Sequence, residues 1–236
     1  MIPYVTVEQM REIDRVMIEE YQIQLIQMME NAGRNLAQLS RSRFLSNPEE
    51  KSVLVLAGTG GNGAGGLVSA RHLHNWGADV SVLLAKIPSE YLGVPAHQLT
   101  ILQRMGLNAD LFSSKTIPSR IDLIIDAILG YSLSGNPRGL VAEMIRWVKN
   151  TMAPVLALDN PSGIDPDGII YEPAIKATAT MTLALPKEGF KSETVKKYLG
   201  ELYLADIGVP LDLYSRMGID LNSGSLFSTE EIIRLL

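Results

Sequence analysis

The chain of 236 residues contains no cysteine, which excludes disulfides, thiolate metal sites and cysteine nucleophiles outright. It also lacks any apolar run close to the roughly 18 residues that a membrane span requires. The opening Met1-Ile2-Pro3-Tyr4-Val5-Thr6 has no charged segment followed by an apolar stretch of the kind that marks a secretory leader. A cytoplasmic protein that engages no membrane is expected. Basic charge is sparse: 21 Lys and Arg stand against 26 Asp and Glu, and Lys196-Lys197 is the densest basic pair. That leaves no footprint for a phosphate backbone, so nucleic acid is not an expected partner. Histidine is scarce too. Of His72, His74 and His97, the first two lie about 200° apart on a helix and cannot readily share a metal.

What is present is an alternation of apolar patterns. Thr6 and Gln9 have the spacing of a reciprocal helix cap, and Met10, Ile13, Val16, Met17, Ile23, Ile26, Met29 and Leu36 suggest two amphipathic helices before any strand. Val53 to Ala57 is then a continuous apolar run ending in glycines, read as a strand buried on both faces of a parallel sheet. Leu67, Ala70, Leu73 and Trp76 keep helical spacing up to Gly77, and Val80 to Leu84 is a second strand, completing a βαβ unit. A helix from Pro95 to near Gly106, a strand Ile121 to Asp126, a helix Pro137 to Lys149, and strands Val155 to Asp159 and Thr180 to Leu185 continue the series. Leu202 to Asp206 reads as the last strand, and Ser228 with Glu231 has capping-box spacing ahead of an apolar tail. No repeat or linker divides residues 1–236, so one domain is expected.

Three features fall at the carboxyl ends of these strands: the loop Gly58-Thr59-Gly60-Gly61-Asn62-Gly63, Asp126 and Asp159. In open α/β sheets that edge is where ligands bind. The loop fits G-x-G-x-x-G and would offer free N–H groups to phosphate, or it serves only as a tight strand-to-helix turn. A redox dinucleotide fold also wants an acidic residue about 20 positions on, where this chain reads Leu84-Ala85-Lys86; a standard NAD dehydrogenase is disfavoured. Asp126 alone could instead be a solvated strand-end carboxylate or a cap, and Asp159-Asn160-Pro161-Ser162-Gly163 could instead be only a turn.

Taken together and in order, these segments resemble the NAD(P)H-hydrate epimerase family, the YjeF N-terminal domain, along almost the full length. Met29-Glu30-Asn31-Ala32-Gly33, Gly66 to Leu73, Asp126-Ala127-Ile128-Leu129-Gly130, Asp159-Asn160-Pro161-Ser162-Gly163 and Pro186-Lys187-Glu188-Gly189 carry the likeness. The resemblance implies a Rossmann-like three-layer α/β/α sandwich with a mostly parallel central sheet and extra N-terminal helices. It implies an isomerase that interconverts the R and S forms of hydrated NADH and NADPH, substrates bearing a hydroxyl on C6 of the nicotinamide ring.

By motif, Asn62, Asp126 and Ser162 would hold a potassium ion, a hard cation suited to oxygen ligands. Gly61, Asn62, Gly63, Ala64 and Gly65, then Gly130, Tyr131, Ser132, Leu133, Ser134, Gly135 and Asn136, and Asp159 would bind substrate. Asp159 would act as the acid and base. Lys187 reads either as a phosphate contact or as a solvated lysine. Where the family usually has Asn-Asn-Gly-Gly-Asp, this chain has Gly61-Asn62-Gly63-Ala64-Gly65, so a second reading stands beside the first: a catalytically degenerate relative that binds a nucleotide-like ligand or a protein partner. Leu226 to Leu236 resembles the segment that leads into a hydrate dehydratase in fused relatives, making a separate or fused dehydratase an expected partner. The apolar faces of the N-terminal helices suggest a homodimer.

Overall fold

A computed structural model describes the chain apart from Met1, Ser114, Ser132, Asn222 and Ser223. Thr6 opens α1 (Val7–Glu19) with the expected box: its hydroxyl accepts from Gln9 N at 3.2 Å, and the Gln9 side chain accepts from Thr6 N at 3.0 Å. After α2 (Leu25–Leu39) come β1 (Ser52–Ala57), α3 (Gly61–Asn75), β2 (Asp79–Leu84), α4 (Gly93–Arg104) and β3 (Ala109–Leu111). The second half runs β4 (Leu123–Ala127), α5 (Gly139–Lys149), β5 (Val155–Leu158), β6 (Ala179–Leu183), α6 (Glu193–Leu199), β7 (Glu201–Ala205), α7 (Leu211–Arg216) and β8 (Ile232–Arg234).

Among the described residues the strands form one eight-stranded sheet in the order β3-β2-β1-β4-β5-β6-β7-β8, parallel except for β8. Strand pleating divides the core. Val53, Val55 and Ala57 point to the layer that holds the N-terminal helices and α3. Leu54 and Leu56 point to the layer that holds Met144, Ile145 and Val148 of α5. Both sets are fully buried, each large aliphatic side chain contributing about 2 kcal/mol, which explains the run of five apolar residues without alternation. The fold is thus an α/β sandwich on a mostly parallel sheet, with two additional helices at its N-terminus.

The chain order places the site. Strands β1, β2 and β3 step outward in one direction, whereas β4 lies on the other side of β1. The crevice of such a fold opens where the order reverses, beyond the carboxyl ends of β1 and β4.

One strand goes unread in the sequence, and two expectations need correction. The short edge strand β3 escapes notice because three residues carry too little pattern. The helix after Pro137 begins at Gly139, with Arg138 as its extended cap residue. The tail is no helix: Ile232, Ile233 and Arg234 pair antiparallel with Ala205, Leu204 and Tyr203, and Leu235 N donates to Leu202 O at 2.7 Å. Without β8, strand β7 would present a row of unpaired backbone groups, and satisfying them outweighs the local capping signal.

Candidate active site

Helix α3 starts inside the glycine run, with Gly60 as its extended cap. The free loop is therefore Gly58 to Gly60, and Gly61, Asn62 and Gly63 form the first helical turn. Gly58 and Gly63 are glycines because backbone meets backbone. A Cβ on Gly63 would come within 1.8 Å of Gly58 O, and one on Gly58 within 1.9 Å of Ile128 O. Gly60 meets nothing within 4 Å.

Beside this turn lies a cavity of about 350 Å³. Thr59, Gly60, Gly61 and Asn62 form one side, and Ile128, Leu129, Gly130 and Tyr131 line it after β4. Met10, Asp14, Leu25, Met28 and Met29 come from the N-terminal helices, and Asp159, Leu183, Lys187 and Ile207 complete the lining. On the other flank of β1 the space is plugged. The buried Tyr91 hydroxyl donates to Ala57 O at 2.8 Å and accepts from Ala85 N at 3.2 Å, bridging the ends of β1 and β2.

Asp126 and Ser162 meet directly in the interior. Asp126 is fully buried; its Oδ1 accepts from Ser162 Oγ at 2.6 Å and its Oδ2 from Ser162 N at 2.7 Å. Desolvation pushes its pKa up to about 6 against the opposing pull of these hydrogen bonds. Ser162 Oγ in turn accepts from Leu129 N at 3.0 Å. Asn62 reaches the same strand end, its Nδ2 donating to Leu129 O and Leu158 O, both at 2.8 Å. Its Oδ1 has no hydrogen bond among the described residues and lies against Gly130, where a Cβ would approach it to 2.9 Å.

Asp159 follows β5 with φ of +65°, a left-handed conformation that costs a non-glycine residue about 1–3 kcal/mol and turns its side chain into the site. The carboxylate is buried, and Lys187 Nζ donates to its Oδ1. Lys187 is itself only 1% exposed, and its ammonium also donates to Thr182 Oγ1 at 2.9 Å and Leu183 O at 3.1 Å. The solvated reading of this lysine fails, because its ammonium is buried at the edge of the cavity and held by Asp159, Thr182 and Leu183. A long-range strap sets it there. Val5 N donates to Pro186 O and Glu188 N to Val5 O, each at 2.9 Å, so the residues before α1 pair with the backbone around Lys187.

Of the residues expected to bind substrate, Gly61, Asn62, Gly130, Tyr131 and Asp159 line the cavity. Gly63, Ala64 and Gly65 are buried in α3 instead. Leu133, Ser134, Gly135 and Asn136 follow Tyr131 outside the lining, and Asn136 Oδ1 accepts from Glu172 N at 3.2 Å. Ser132 lies outside the described residues.

Asp14 was not anticipated. It lies within the cavity lining, and its Oδ2 accepts from Tyr131 Oη at 2.6 Å. A signal existed: Asp14 is four residues after Met10 and three before Met17, a carboxylate on the apolar stripe of α1.

Residues 25–189 match the model of the family described as YjeF-related protein N-terminus. The chain is 42% identical over 235 residues to the NAD(P)H-hydrate epimerase of Dehalogenimonas lykanthroporepellens, covering 98% of this chain and 92% of that one. It is 33% identical to the NAD(P)H-hydrate epimerase of Rhodopirellula baltica over 92% of this chain and 89% of that one. With the bifunctional NAD(P)H-hydrate repair enzyme of Moorella thermoacetica it shares 37% identity over 89% of this chain, which is 41% of that longer protein. In three dimensions it superposes on the crystal structure of a yeast protein with a TM-score of 0.82 at 28% identity, covering 99% and 100% of the two chains. By motif, by sequence and by fold, the chain belongs to the YjeF-related N-terminal family.

Proposed function

We propose that this chain is an NAD(P)H-hydrate epimerase, interconverting the R and S forms of hydrated NADH and NADPH in nicotinamide cofactor repair. The observation that carries this reading is the buried Asp159–Lys187 pair facing a cavity beside the N-terminus of α3. At about 350 Å³ the cavity suits the nicotinamide and ribose portion of a dinucleotide, and its apolar lining excludes water from the reacting ring.

Epimerisation at C6 exchanges the face that carries the hydroxyl. Loss of the hydroxyl as water leaves a ring cation, and return of water to the other face gives the epimer. Asp159 supplies a proton to the departing hydroxyl and accepts one from the incoming water. Its negative charge stabilises the cation between the two steps. Asp159 Oδ2 makes no hydrogen bond among the described residues, whereas Oδ1 is held by Lys187. One oxygen is thus anchored and the other is available to substrate.

Asn62, Asp126 and Ser162 fit a potassium ion. They offer amide, carboxylate and hydroxyl oxygens with a single negative charge, which suits a monovalent hard cation. Among the described residues no group of three or more His, Asp or Glu suggests a divalent site. A bound potassium would supply fixed positive charge at this strand end, and these three residues would hold it.

The second reading, a degenerate relative, draws on the altered pentad. In this chain Ala64 and Gly65 pack into the core, and a Cβ on Gly65 would come within 2.7 Å of Leu158 Cδ2. Gly65 lies within the buried part of α3, whereas Gly61, where the family carries an amide, lines the cavity, and that lost amide is the observation behind this reading. No described helix is long and apolar enough to cross a membrane, in keeping with a cytoplasmic repair enzyme. A homodimer and a hydrate dehydratase acting on the same substrate remain the proposed partners. Following S-to-R conversion by the purified protein tests the function.

A further inference from the structure

Asp14 has no part in the reaction as derived so far, yet its position demands one. It is a carboxyl in the lining of a mostly apolar cavity, delivered by α1, while Asp159 and Lys187 follow β5 and β6. Its partner Tyr131 is 117 residues away in sequence and is a neutral hydroxyl, not a cation. The strap between Val5 and Pro186–Glu188 ties the start of α1 to the segment bearing Lys187. The two carboxyls therefore face one cavity from different elements of the fold.

We propose that Asp14 is a second proton-transferring carboxyl of this site, serving the face of the nicotinamide ring opposite the one that Asp159 serves. This rests on the epimerase reading and deepens it. A single carboxyl must meet the leaving hydroxyl on one face and the incoming water on the other, which requires the ring to turn or the proton to travel. Two carboxyls approaching from different elements remove that requirement.

The step balances. Asp14 as the acid gives its proton to the C6 hydroxyl; the C6–O bond breaks, water leaves with the bonding pair, and the ring nitrogen lone pair closes the cation. A water then adds to C6 on the other face and gives a proton to the Asp159 carboxylate. One C–O bond breaks and one forms, with no change in oxidation state. The enzyme finishes with the proton on Asp159, and either a turnover in the opposite direction or exchange with solvent resets it. Burial raises the pKa of Asp14, and the charge of Asp159 raises it further, while the Tyr131 hydrogen bond and Lys187 pull the other way. The net shift is upward, as an acid needs.

The experiment compares Asp14→Asn with Tyr131→Phe in the full chain, using an S-enriched NADPHX preparation with wild-type protein as the control. Asparagine keeps an oxygen to accept from Tyr131 but transfers no proton, whereas phenylalanine removes the hydrogen bond and leaves the acid. The expected result is that Asp14→Asn lowers kcat by at least about 100-fold with KM changed less than about threefold. Tyr131→Phe is expected to cost about tenfold or less. Asp14→Asn retaining more than about one third of wild-type kcat, or Tyr131→Phe being the more damaging, would overturn the proposal and reduce Asp14 to an anchor for Tyr131. An inactive wild-type protein would instead overturn the epimerase reading, and this inference with it.

Discussion

The ammonium of Lys187 is buried against the carboxylate of Asp159, and each is nearly inaccessible to solvent. Removing one member of such a pair leaves an uncompensated charge in the interior. Lys187→Met is expected to cost about 3–5 kcal/mol, and Asp159→Asn a smaller amount, since Lys187 keeps its bonds to Thr182 and Leu183. The double variant should recover part of the loss. Urea denaturation of the two single variants and the double measures this; additive losses would show that the two residues do not interact.

The glycine turn makes a local prediction. Gly63→Ala would drive a Cβ into Gly58 O, a backbone atom with no room to yield, and is expected to lose at least about 3 kcal/mol. Gly60→Ala meets open space and should change stability by less than about 0.5 kcal/mol. Thermal melts of the two variants compare them directly. Equal losses would mean that the turn is not packed as described.

Glu201 supplies a pH test remote from the site. Arg43 holds it through two hydrogen bonds of 2.7 and 2.9 Å, and Tyr203 Oη donates at 2.6 Å. First Arg43 and then Tyr203 bring its pKa down to about 2, against about 4.3 in an unfolded chain. A depressed carboxylate pKa gives stability that is present above about pH 4.3 and is lost as pH falls towards 2. After discounting for solvent at this partly exposed site, Glu201→Gln should cost about 1 kcal/mol at pH 7. That difference should vanish near pH 2; a gap independent of pH would contradict the assignment.

Much of this architecture can be read from local signals, and the exceptions share a cause. Thr6 and Gln9 lie three residues apart, so their cap is visible in sequence and present in the fold. The glycine run, Asp126 and Asp159 each end an apolar strand, so their gathering at one sheet edge follows from parallel topology. Lys187 was misread because what buries it is distant: Val5, 182 positions earlier in the chain, pairs with its backbone, and Asp159 lies beneath its ammonium. The tail failed for the same reason, its capping spacing being local and the open edge of β7 being tertiary.

Potassium offers a test by removal. If Asn62, Asp126 and Ser162 hold the ion, replacing potassium with tetramethylammonium should lower both the melting temperature and the epimerisation rate. At tenfold excess over its Kd, the ion would add about 1.4 kcal/mol. Ser162→Ala should abolish the response of the melting temperature to potassium. An unchanged response in that variant would remove Ser162 from the set.

The most direct test of the central claim is the rate at which purified protein converts S-NADHX or S-NADPHX to the R form, measured beside Asp159→Asn and the spontaneous reaction. The expected result is conversion well above the spontaneous rate for the wild-type chain and a return to that rate for Asp159→Asn. Wild-type conversion no faster than the spontaneous reaction would contradict the epimerase assignment, and near-normal conversion by Asp159→Asn would remove Asp159 from the chemistry.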